Sequence, residues 1–378
     1  MDINVTAPVN ELGYGVAGLN ILKSIVALGH KAAFWPLGQP TVKTIENLNV
    51  LKECTANVSK YNPEAPSLRI WHQHDMAQHV GDGEKIGFPI FELDQFNDTE
   101  KHHLKNLDTV IVCSEWAKSV VKSQLPDSEV FVAPLGVDRS IFNPDIDTDN
   151  SNLKFANRDK VKTIFLNMGK WEVRKGHDIL ADAFCKAFKE EDEVELWMIN
   201  ENPFLKEEQQ KEWHDLYEGC DMHSRIRILP RLNTHEDVAV IMSQADVGVF
   251  PSRAEGWNLE ALEMLSMGKH LIITDYSAHT EFCNNENSRL IEIEEKEDAH
   301  DGIWFHGQGQ WASIGDNQIE QLVNHMREIH ESREEVNHSG IETANLFSWD
   351  ACARKIMSVA ERNSQSKSIE NFRRVEIG

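Results

Sequence analysis

The chain has 378 residues, 40% hydrophobic and 26% charged, which is ordinary for a folded protein and long enough for two domains. Its net charge of −24 argues against nucleic acid or an anionic membrane as a partner, because those partners are bound through clustered Lys and Arg. Six cysteines without a CxxC pair argue against a zinc motif or a disulfide framework, and the lack of a signal-peptide pattern or a long apolar run predicts a cytoplasmic protein with no integral membrane segment.

Strands alternate with helices through the first part of the chain. Helical patterns occupy residues 16–28 and 115–125. Short apolar runs predict strands at 3–7, 31–37, 68–75, 87–94, 108–114 and 129–136. This alternation is typical of a parallel sheet with crossover helices, so we expect a Rossmann-like domain over residues 1–145.

A polar stretch rich in Asp and Asn follows, and we expect residues 146–160 to form a linker. The alternation then resumes, with an irregular segment at 292–318 and helices at 177–188, within 316–346 and from 350. Further strands are predicted at 162–169, 193–199, 225–230, 246–252 and 269–275. The sequence therefore predicts an α/β protein in which a second Rossmann-like domain, 161–349, faces the first across a cleft.

The segment RAEGWNLEALEMLSMGK, residues 253–269, joins a predicted strand to a helix. Asn258 is a good N-cap, and Leu259 begins a run with apolar residues at helical spacing. Glu255 precedes this helix, and Glu263 lies in its second turn. Loops that follow strands in α/β folds are where ligands bind.

The helix dipole alone favours carboxylates near a helix start, and this is one explanation for Glu263. It does not account for Glu255 or for Gly256, which permits a close backbone approach to a ligand. Free amides at a helix start suit a diphosphate. We therefore predict that the two glutamates contact hydroxyls on either side of a diphosphate, as a nucleotide sugar would offer them.

A second motif, NMGKWEVRKGHDIL, spans residues 167–180 between a strand and a helix start. Lys170, Arg174 and Lys175 place three cations within six residues of an otherwise acidic chain. Such a run suggests an anion cradle, with a solvated basic loop as the alternative.

Taken together, these motifs resemble the retaining glycosyltransferases of the GT-B fold, family 4 or group 1, which include sucrose synthases and bacterial mannosyltransferases. The resemblance rests on EGWNLEALE, the GK…RKGHDIL…AF loop, APLGVDRSIFNP and the FSWD…A helix, in this order. It extends from about residue 11 to 362 and implies a last helix, about 350–378, that crosses back to the first domain.

The resemblance also implies roles for individual residues. Glu255 would contact hydroxyls of the transferred sugar, and Glu263 the ribose. Lys170 and Lys175 would hold the diphosphate. The remaining donor-binding residues would supply backbone amides, loop contacts and a surface for the base: Gly256, Trp257, Asn258, Leu259, Arg231 and Leu232.

The chain departs from the family pattern at two places. The family usually has Arg where this chain has Lys170, and often Phe-Gly where it has Trp257 and Asn258. Lysine keeps the charge but loses the bidentate fork of arginine. We therefore expect weaker phosphate binding with the role retained.

GYGVAG, residues 13–18, matches the glycine pattern of dinucleotide-binding folds. That function needs an acid about 20 residues later for the ribose, and residues 31–45 contain no Asp or Glu. In the family that this chain resembles, a glycine-rich loop here lies over the donor phosphates, so Gly13 and Gly15 are donor-site candidates. An NAD-dependent oxidoreductase is the rival hypothesis.

Other candidates lie in the first domain. His74, in WHQHD, falls where the family places a histidine near the transferred sugar, with His72 as the alternative and a structural role as the simpler explanation. Asp94 is a candidate acceptor contact. The acidic run at 145–149 resembles a D-x-D metal motif, but its place in the linker indicates a solvated turn, and we expect no metal cofactor.

The resemblance implies transfer of a hexose from a nucleotide sugar to a carbohydrate or other hydroxyl acceptor with retention of the anomeric configuration. UDP-glucose and GDP-mannose are the donors that the family favours. A catalytically inactive nucleotide-sugar-binding protein of the same fold remains an alternative, as does glycosylation of DNA bases, which the net charge disfavours.

Overall fold

The computed structural model of the chain describes residues 1–146, 161–332 and 336–376. It divides into two compact units, one formed by Met1–Gly136 with Phe347–Gly378 and the other by Val137–Leu346. Apart from residue 146, the predicted linker at 146–160 lies outside the described residues, as does most of the acidic run at 145–149.

The second unit begins at Val137, ahead of the segment whose composition predicts a linker. Phe142 explains this early start, because its backbone oxygen accepts a hydrogen bond of 2.6 Å from the Ser266 hydroxyl. The Phe142 ring also lies 6.0 Å from the ring of His235.

The first unit contains a six-stranded parallel sheet in the order β2-β1-β3-β4-β5-β6. Its strands are β1 (Asp2–Ala7), β2 (Lys31–Pro36), β3 (Ser67–Trp71), β4 (Lys85–Pro89), β5 (Thr109–Val112) and β6 (Val130–Val132). Its helices are α1 (Gly13–Ala27), α2 (Ile45–Ala56), α3 (Asp98–Lys105) and α4 (Glu115–Gln124).

The second unit repeats this architecture with the strand order β12-β11-β10-β7-β8-β9 and carries an antiparallel hairpin, β13-β14. Its strands are β7 (Thr163–Met168), β8 (Val194–Ile199), β9 (Ile226–Ile228), β10 (Val247–Phe250), β11 (His270–Thr274), β12 (Arg289–Ile291), β13 (Lys296–His300) and β14 (His306–Ala312). Its helices are α5 (His177–Ala187), α6 (Glu207–Glu218), α7 (His235–Gln244), α8 (Leu259–Ser266), α9 (Asp316–Ser332) and α10 (His338–Ala344).

The central strands of the second sheet are buried along their whole length, as expected for parallel strands covered by helices on both faces. The pairing of β10 with β7 decides the position of the site. Val247 pairs with Phe165 and Gly248 with Leu166, in parallel. The loops that follow these two strands therefore leave the sheet at the same edge, although some 80 residues separate them.

Two predictions about local structure are wrong. The segment expected to be irregular, 292–318, contains the β13-β14 hairpin, whose strands KEDAH and HGQGQWA lack the apolar alternation on which strand prediction depends. Helix α1 begins at Gly13 rather than at residue 16, so the glycine motif forms its first turns.

The final helix, α11 (Trp349–Glu376), belongs to the first unit and packs against α1. Ala353, Ile356 and Ala360 on α11 are fully buried. Among the described residues, no helix is long and apolar enough to cross a membrane.

Candidate active site

The loop between β10 and α8 is buried over its whole length, residues 251–258. Asn258 caps α8, as the sequence predicts, and does so in the left-handed conformation with φ of 81°. Its Oδ1 accepts a hydrogen bond from the Ala261 amide at 3.1 Å, and its Nδ2 lies 2.9 Å from Nε2 of His279. Asparagine tolerates this backbone conformation better than most residues, so one side chain both turns the loop and starts the helix.

Glu255 lies in this loop with both carboxylate oxygens engaged. Oε1 accepts hydrogen bonds from Lys175 Nζ at 2.8 Å and from the Ser252 hydroxyl at 3.0 Å. Oε2 lies 2.8 Å from Nη1 of Arg174. The backbone amide of Glu255 donates to the Ser277 hydroxyl at 2.8 Å. The structure thus brings together two predicted catalytic residues, Glu255 and Lys175, from loops far apart in sequence.

The charges of this pair reinforce each other. Burial disfavours the ionised form of Glu255, but Arg174 and Lys175 outweigh burial and hold the pKa of its carboxyl well below the usual range. Burial likewise opposes the charge of Lys175, yet Glu255 and then Glu260 raise the pKa of its ammonium group. Both side chains therefore stay charged across the neutral pH range although both are buried.

His279, which packs beside this pair, stays neutral. Burial lowers its pKa to about 4. Its Nδ1 lies 3.0 Å from the backbone oxygen of Thr274, which assigns the proton to Nδ1 and leaves Nε2 to accept from Asn258.

Arg174 does not line an anion cradle, which corrects the interpretation of the three-cation motif. Its side chain is buried, and its Nε and Nη2 atoms donate to Oε2 of Glu172 at 3.1 and 2.7 Å. Glu172 also lies 3.1 Å from Nζ of Lys170. The motif therefore contains an internal acid that balances part of its charge, and only Lys170, whose side chain is 35% exposed, has substantial access to solvent.

Buried polar residues that the sequence analysis missed form hydrogen bonds with the loop that carries Lys170, Arg174 and Lys175. His177 Nε2 lies 3.0 Å from Asn167 Oδ1, and its Nδ1 accepts the Glu172 amide at 3.1 Å. Asn200 Nδ2 donates to Asn167 Oδ1 at 2.7 Å and to the Gly169 oxygen at 2.8 Å. Burial lowers the pKa of His177 well below its usual value, so the ring is neutral. Asn167 lies one residue before the end of β7, and Asn200 directly follows the adjacent strand β8. Only this common position at the carboxyl ends of neighbouring strands could have pointed to them.

Gly176 allows the loop that carries Lys170, Arg174 and Lys175 to pass close to the loop between β10 and α8. Its φ is 74°, and a Cβ atom there would overlap the carbonyl oxygen of Pro251. Gly302, at the tip of the hairpin, has the same φ of 74° but open space around it. Alanine substitutions at the two positions therefore distinguish backbone strain, which both would introduce, from overlap with neighbouring backbone, which only the substitution at Gly176 would introduce.

Gly176→Ala is expected to lower the free energy of unfolding by at least about 3 kcal/mol, because strain and overlap with backbone add. Gly302→Ala, which adds strain alone, is expected to lower it by about 1 kcal/mol. Urea unfolding of both variants measures the difference. Equal losses would contradict the close approach at Gly176.

Among the described residues, Glu263 has no ionic partner, whereas Glu255 has two. It is buried on α8, and the part of the chain that the structure describes offers no hydrogen bond to its carboxyl group. Burial, followed by the charge of Glu260, raises its pKa well above the usual value. No acceptor among the described residues pairs with the amides of Leu259 and Glu260 either. The start of α8 thus presents polar groups that a ligand can satisfy.

The other predicted donor-site residues of the second unit occupy two loops. Gly256 and Trp257 are buried in the β10–α8 loop, and the Trp257 ring packs 5.1 Å from that of Phe282, so it contributes to the core. Arg231 and Leu232 lie half-buried in the loop between β9 and α7. This loop also follows a strand of the parallel sheet.

In the first unit, the structure brings the glycine motif and the histidine motif together. Tyr14, between Gly13 and Gly15, places its ring 4.5 Å from that of His72, and His72 stacks on the exposed His74 at 5.2 Å. A Cβ at Gly15 would overlap the backbone of Asn10, so this glycine serves close packing of α1.

Asp94 lies half-buried in the loop after β4, where its backbone oxygen accepts a hydrogen bond of 3.2 Å from Gln124. Within the described residues, no group of three or more His, Cys, Asp or Glu side chains could hold a metal ion.

Comparison with known structures identifies the fold. The chain superposes on sucrose-phosphate synthase from Thermosynechococcus elongatus with a TM-score of 0.69 at 16% identity, covering 97% of this chain and 100% of the other. It superposes on HepE of Anabaena in complex with UDP-glucose with a TM-score of 0.68 at 15% identity, covering 96% of this chain and 100% of the other. It superposes on WaaG, a glycosyltransferase involved in lipopolysaccharide biosynthesis, with a TM-score of 0.64 at 13% identity, covering 95% of this chain and 99% of the other.

Comparison of sequences locates the family signal. No curated protein matches the chain. Residues 162–304 match the sequence model of the family described as glycosyl transferases group 1, and these residues include Lys170, Lys175, Glu255 and Glu263. The chain therefore has the GT-B fold, and residues 162–304 of its second unit are similar to the glycosyl transferases group 1 family.

Proposed function

We propose that the protein is a retaining glycosyltransferase that moves a hexose from a nucleoside-diphosphate sugar to an acceptor hydroxyl without a metal. The observation that carries this proposal is the charged pair of Lys175 and Glu255 at 2.8 Å, buried beside the start of α8. UDP-glucose is the first donor to test, since HepE is known in complex with it, and GDP-mannose is the second.

The diphosphate would lie at the start of α8. Lys175 and Lys170 supply positive charge, and the amides of Leu259 and Glu260 have no acceptor among the described residues. As the glycosidic bond breaks, negative charge grows on the departing diphosphate, and fixed donors of this kind stabilise that charge without reorganisation. The protein itself can thus provide the charge that a metal supplies in other transferases.

The two glutamates would bind alcohols at opposite ends of the donor. Glu255 would accept hydrogen bonds from hydroxyls of the transferred sugar, and Glu263 would contact the ribose. On the first unit, His74 is proposed to contact the sugar and Asp94 the acceptor, with Gly13 and Gly15 close to the phosphates.

Glu255 is poorly suited to act as a nucleophile. Lys175, Ser252 and Arg174 engage its two oxygens, and its low pKa makes it a weak base. We therefore propose transfer on one face of the sugar, in which a leaving phosphate oxygen takes the proton of the acceptor hydroxyl. Mass spectrometry of enzyme quenched during turnover tests this step, and a glycosyl adduct on Glu255 would refute it.

Thermal shift and calorimetry with UDP, GDP and ADP and their sugars test the donor class. A ligand at 100 times its dissociation constant adds about 2.7 kcal/mol to the stability of the folded state. Stabilisation by NADH without stabilisation by any nucleoside diphosphate would favour the oxidoreductase instead. Tight donor binding without hydrolysis or transfer would favour the inactive binding protein.

The role of Glu263 predicts a dependence on ribose hydroxyls. Glu263→Met, which removes the hydrogen-bonding group and keeps most of the side-chain volume, is expected to weaken UDP binding about 10-fold, because the loss of one good hydrogen bond is worth about 1.4 kcal/mol. The same substitution should have no effect on binding of 2′,3′-dideoxy-UDP, which lacks the hydroxyls. Calorimetric titration of both proteins with both nucleotides completes the cycle. An equal loss for the two ligands would place Glu263 away from the ribose.

A further inference from the structure

Arg174 lies between two buried carboxylates. Its Nη1 atom is 2.8 Å from Oε2 of Glu255, while its Nε and Nη2 atoms donate to Glu172 at 3.1 and 2.7 Å. All three side chains are at least nine-tenths buried. One guanidinium group thus links the acid in its own loop to the acid in the β10–α8 loop.

The same residue also joins the backbones of the two loops. Nη1 of Arg174 donates to the Ala254 oxygen at 2.7 Å, and the Arg174 oxygen accepts from the Arg253 amide at 2.6 Å. These bonds fix the main chain at Arg253 and Ala254, the two residues that precede Glu255. A planar fork with donors on two sides can make all of these contacts at once, which a single ammonium group cannot.

We propose that Arg174 is the positioning residue for Glu255: it orients the carboxylate toward the donor sugar and keeps it charged, while Glu172 balances the added cation. This inference rests on the proposed function of Glu255. Arg174 itself touches neither the phosphates nor the sugar, and it acts through the glutamate that does.

The charges around Glu255 determine how the loss of Arg174 would affect the protonation of Glu255. Within the described part of the chain, the charged or titratable groups that act on Glu255 are Arg174, Lys175 and His279, and His279 is neutral. Without Arg174, one cation remains against the full effect of burial, which favours the protonated acid. Activity should then decline as the pH falls, and the decline should begin at a higher pH than in the unmodified protein.

Three variants separate positioning from structural support. Arg174→Met removes charge and fork, Arg174→Lys restores charge alone, and Arg174→Met combined with Glu172→Gln also removes the acid that would be left unpaired. For each folded variant, UDP affinity is measured by calorimetry, and the rate of donor hydrolysis or transfer is measured between pH 4.5 and pH 8 (roughly the range around an ordinary carboxyl pKa). Circular dichroism confirms folding.

We expect Arg174→Met and the double variant to lower the maximal rate about 100-fold, the loss that misplacement of a binding group by 1 Å can cause. UDP affinity should change less than about 3-fold, because Lys170 and Lys175 remain. The pH below which the rate declines should be higher in both variants than in the unmodified protein. In Arg174→Lys this pH should return toward that of the unmodified protein, but the maximal rate should not be restored.

Two outcomes overturn the inference. One is a pH profile in the double variant that superposes on that of the unmodified protein. The other is a loss of UDP affinity as large as the loss of rate, which a general collapse of the loop would produce. An unmodified protein that neither binds UDP nor uses any nucleotide sugar would instead refute the proposed function, so the two failures are distinguishable.

Discussion

Replacing Lys175 with methionine is expected to lower the rate of sugar transfer by at least about 100-fold, the effect of removing one preorganised group that stabilises charge in a transition state. Methionine preserves most of the side-chain volume but loses the ammonium group that lies 2.8 Å from Glu255. The diphosphate then loses a fixed cation as its charge develops, and Glu255 loses one of its two ionic partners. Single-turnover transfer with the donor identified by thermal shift measures the change.

Lys186→Met provides the matched control for this prediction. Lys186 lies on α5, close in sequence to Lys175, but its side chain is 55% exposed and pairs with Asp182 on the same helix. Its loss should leave the transfer rate within about 2-fold, because exposed ion pairs contribute little. If the two substitutions reduce the rate equally, the effect of Lys175 is one of general charge and the proposed diphosphate site is wrong.

Replacing Glu255 with glutamine is expected to reduce both activity and stability while UDP binding persists. Glutamine keeps the shape of the side chain but leaves the buried Arg174 and Lys175 with a neutral neighbour. Breaking a buried ion pair in this way lowers the free energy of unfolding by about 3–5 kcal/mol. The transfer rate should fall at least about 100-fold, because the sugar hydroxyls lose a charged acceptor.

The stability effect of Glu255 has a defined pH dependence. Burial opposes its charge, but Arg174 and Lys175 depress its pKa in the folded state below the value in the unfolded chain. Its stabilising contribution is therefore fully present above the unfolded pKa and is lost as the pH falls through the folded pKa. Urea unfolding at several pH values should show a constant difference between the unmodified protein and Glu255→Gln near neutrality, and a progressively smaller difference as the pH falls below the ordinary carboxyl pKa.

Glu236→Gln is the control for the second prediction. Glu236 is an exposed acid in the first turn of α7, also near a helix start. Its replacement should change the free energy of unfolding by less than about 1 kcal/mol, the usual scale of a surface charge near a helix dipole. A comparable loss from Glu236→Gln and Glu255→Gln would show that the buried ion pair contributes no more than a surface acid.

The sequence by itself determined the local parts of this protein. Alternating apolar runs and helical periods predicted the parallel α/β architecture, which the structure and its neighbours confirm. Asn258 was identified as the cap of α8 because capping depends on residues within one turn. The same local reasoning missed the β13-β14 hairpin, whose strands carry no apolar alternation. The roles of Glu255, Glu263, Lys170 and His74 stay predictions until donor binding is measured.

Only the tertiary structure decided which charges meet. Arg174 and Lys175 are adjacent in sequence and look alike there, yet one links two acids while the other, with Lys170, is proposed to hold the diphosphate. The difference arises because β7 and β10 pair in parallel, which brings their loops to one edge of the sheet and buries them together. Burial raises the pKa of both glutamates, but Arg174 and Lys175 outweigh it at Glu255 and depress the pKa there, whereas the charge of Glu260 adds to the effect of burial at Glu263. Such effects depend on neighbours that are distant in sequence, and no periodicity or motif records them.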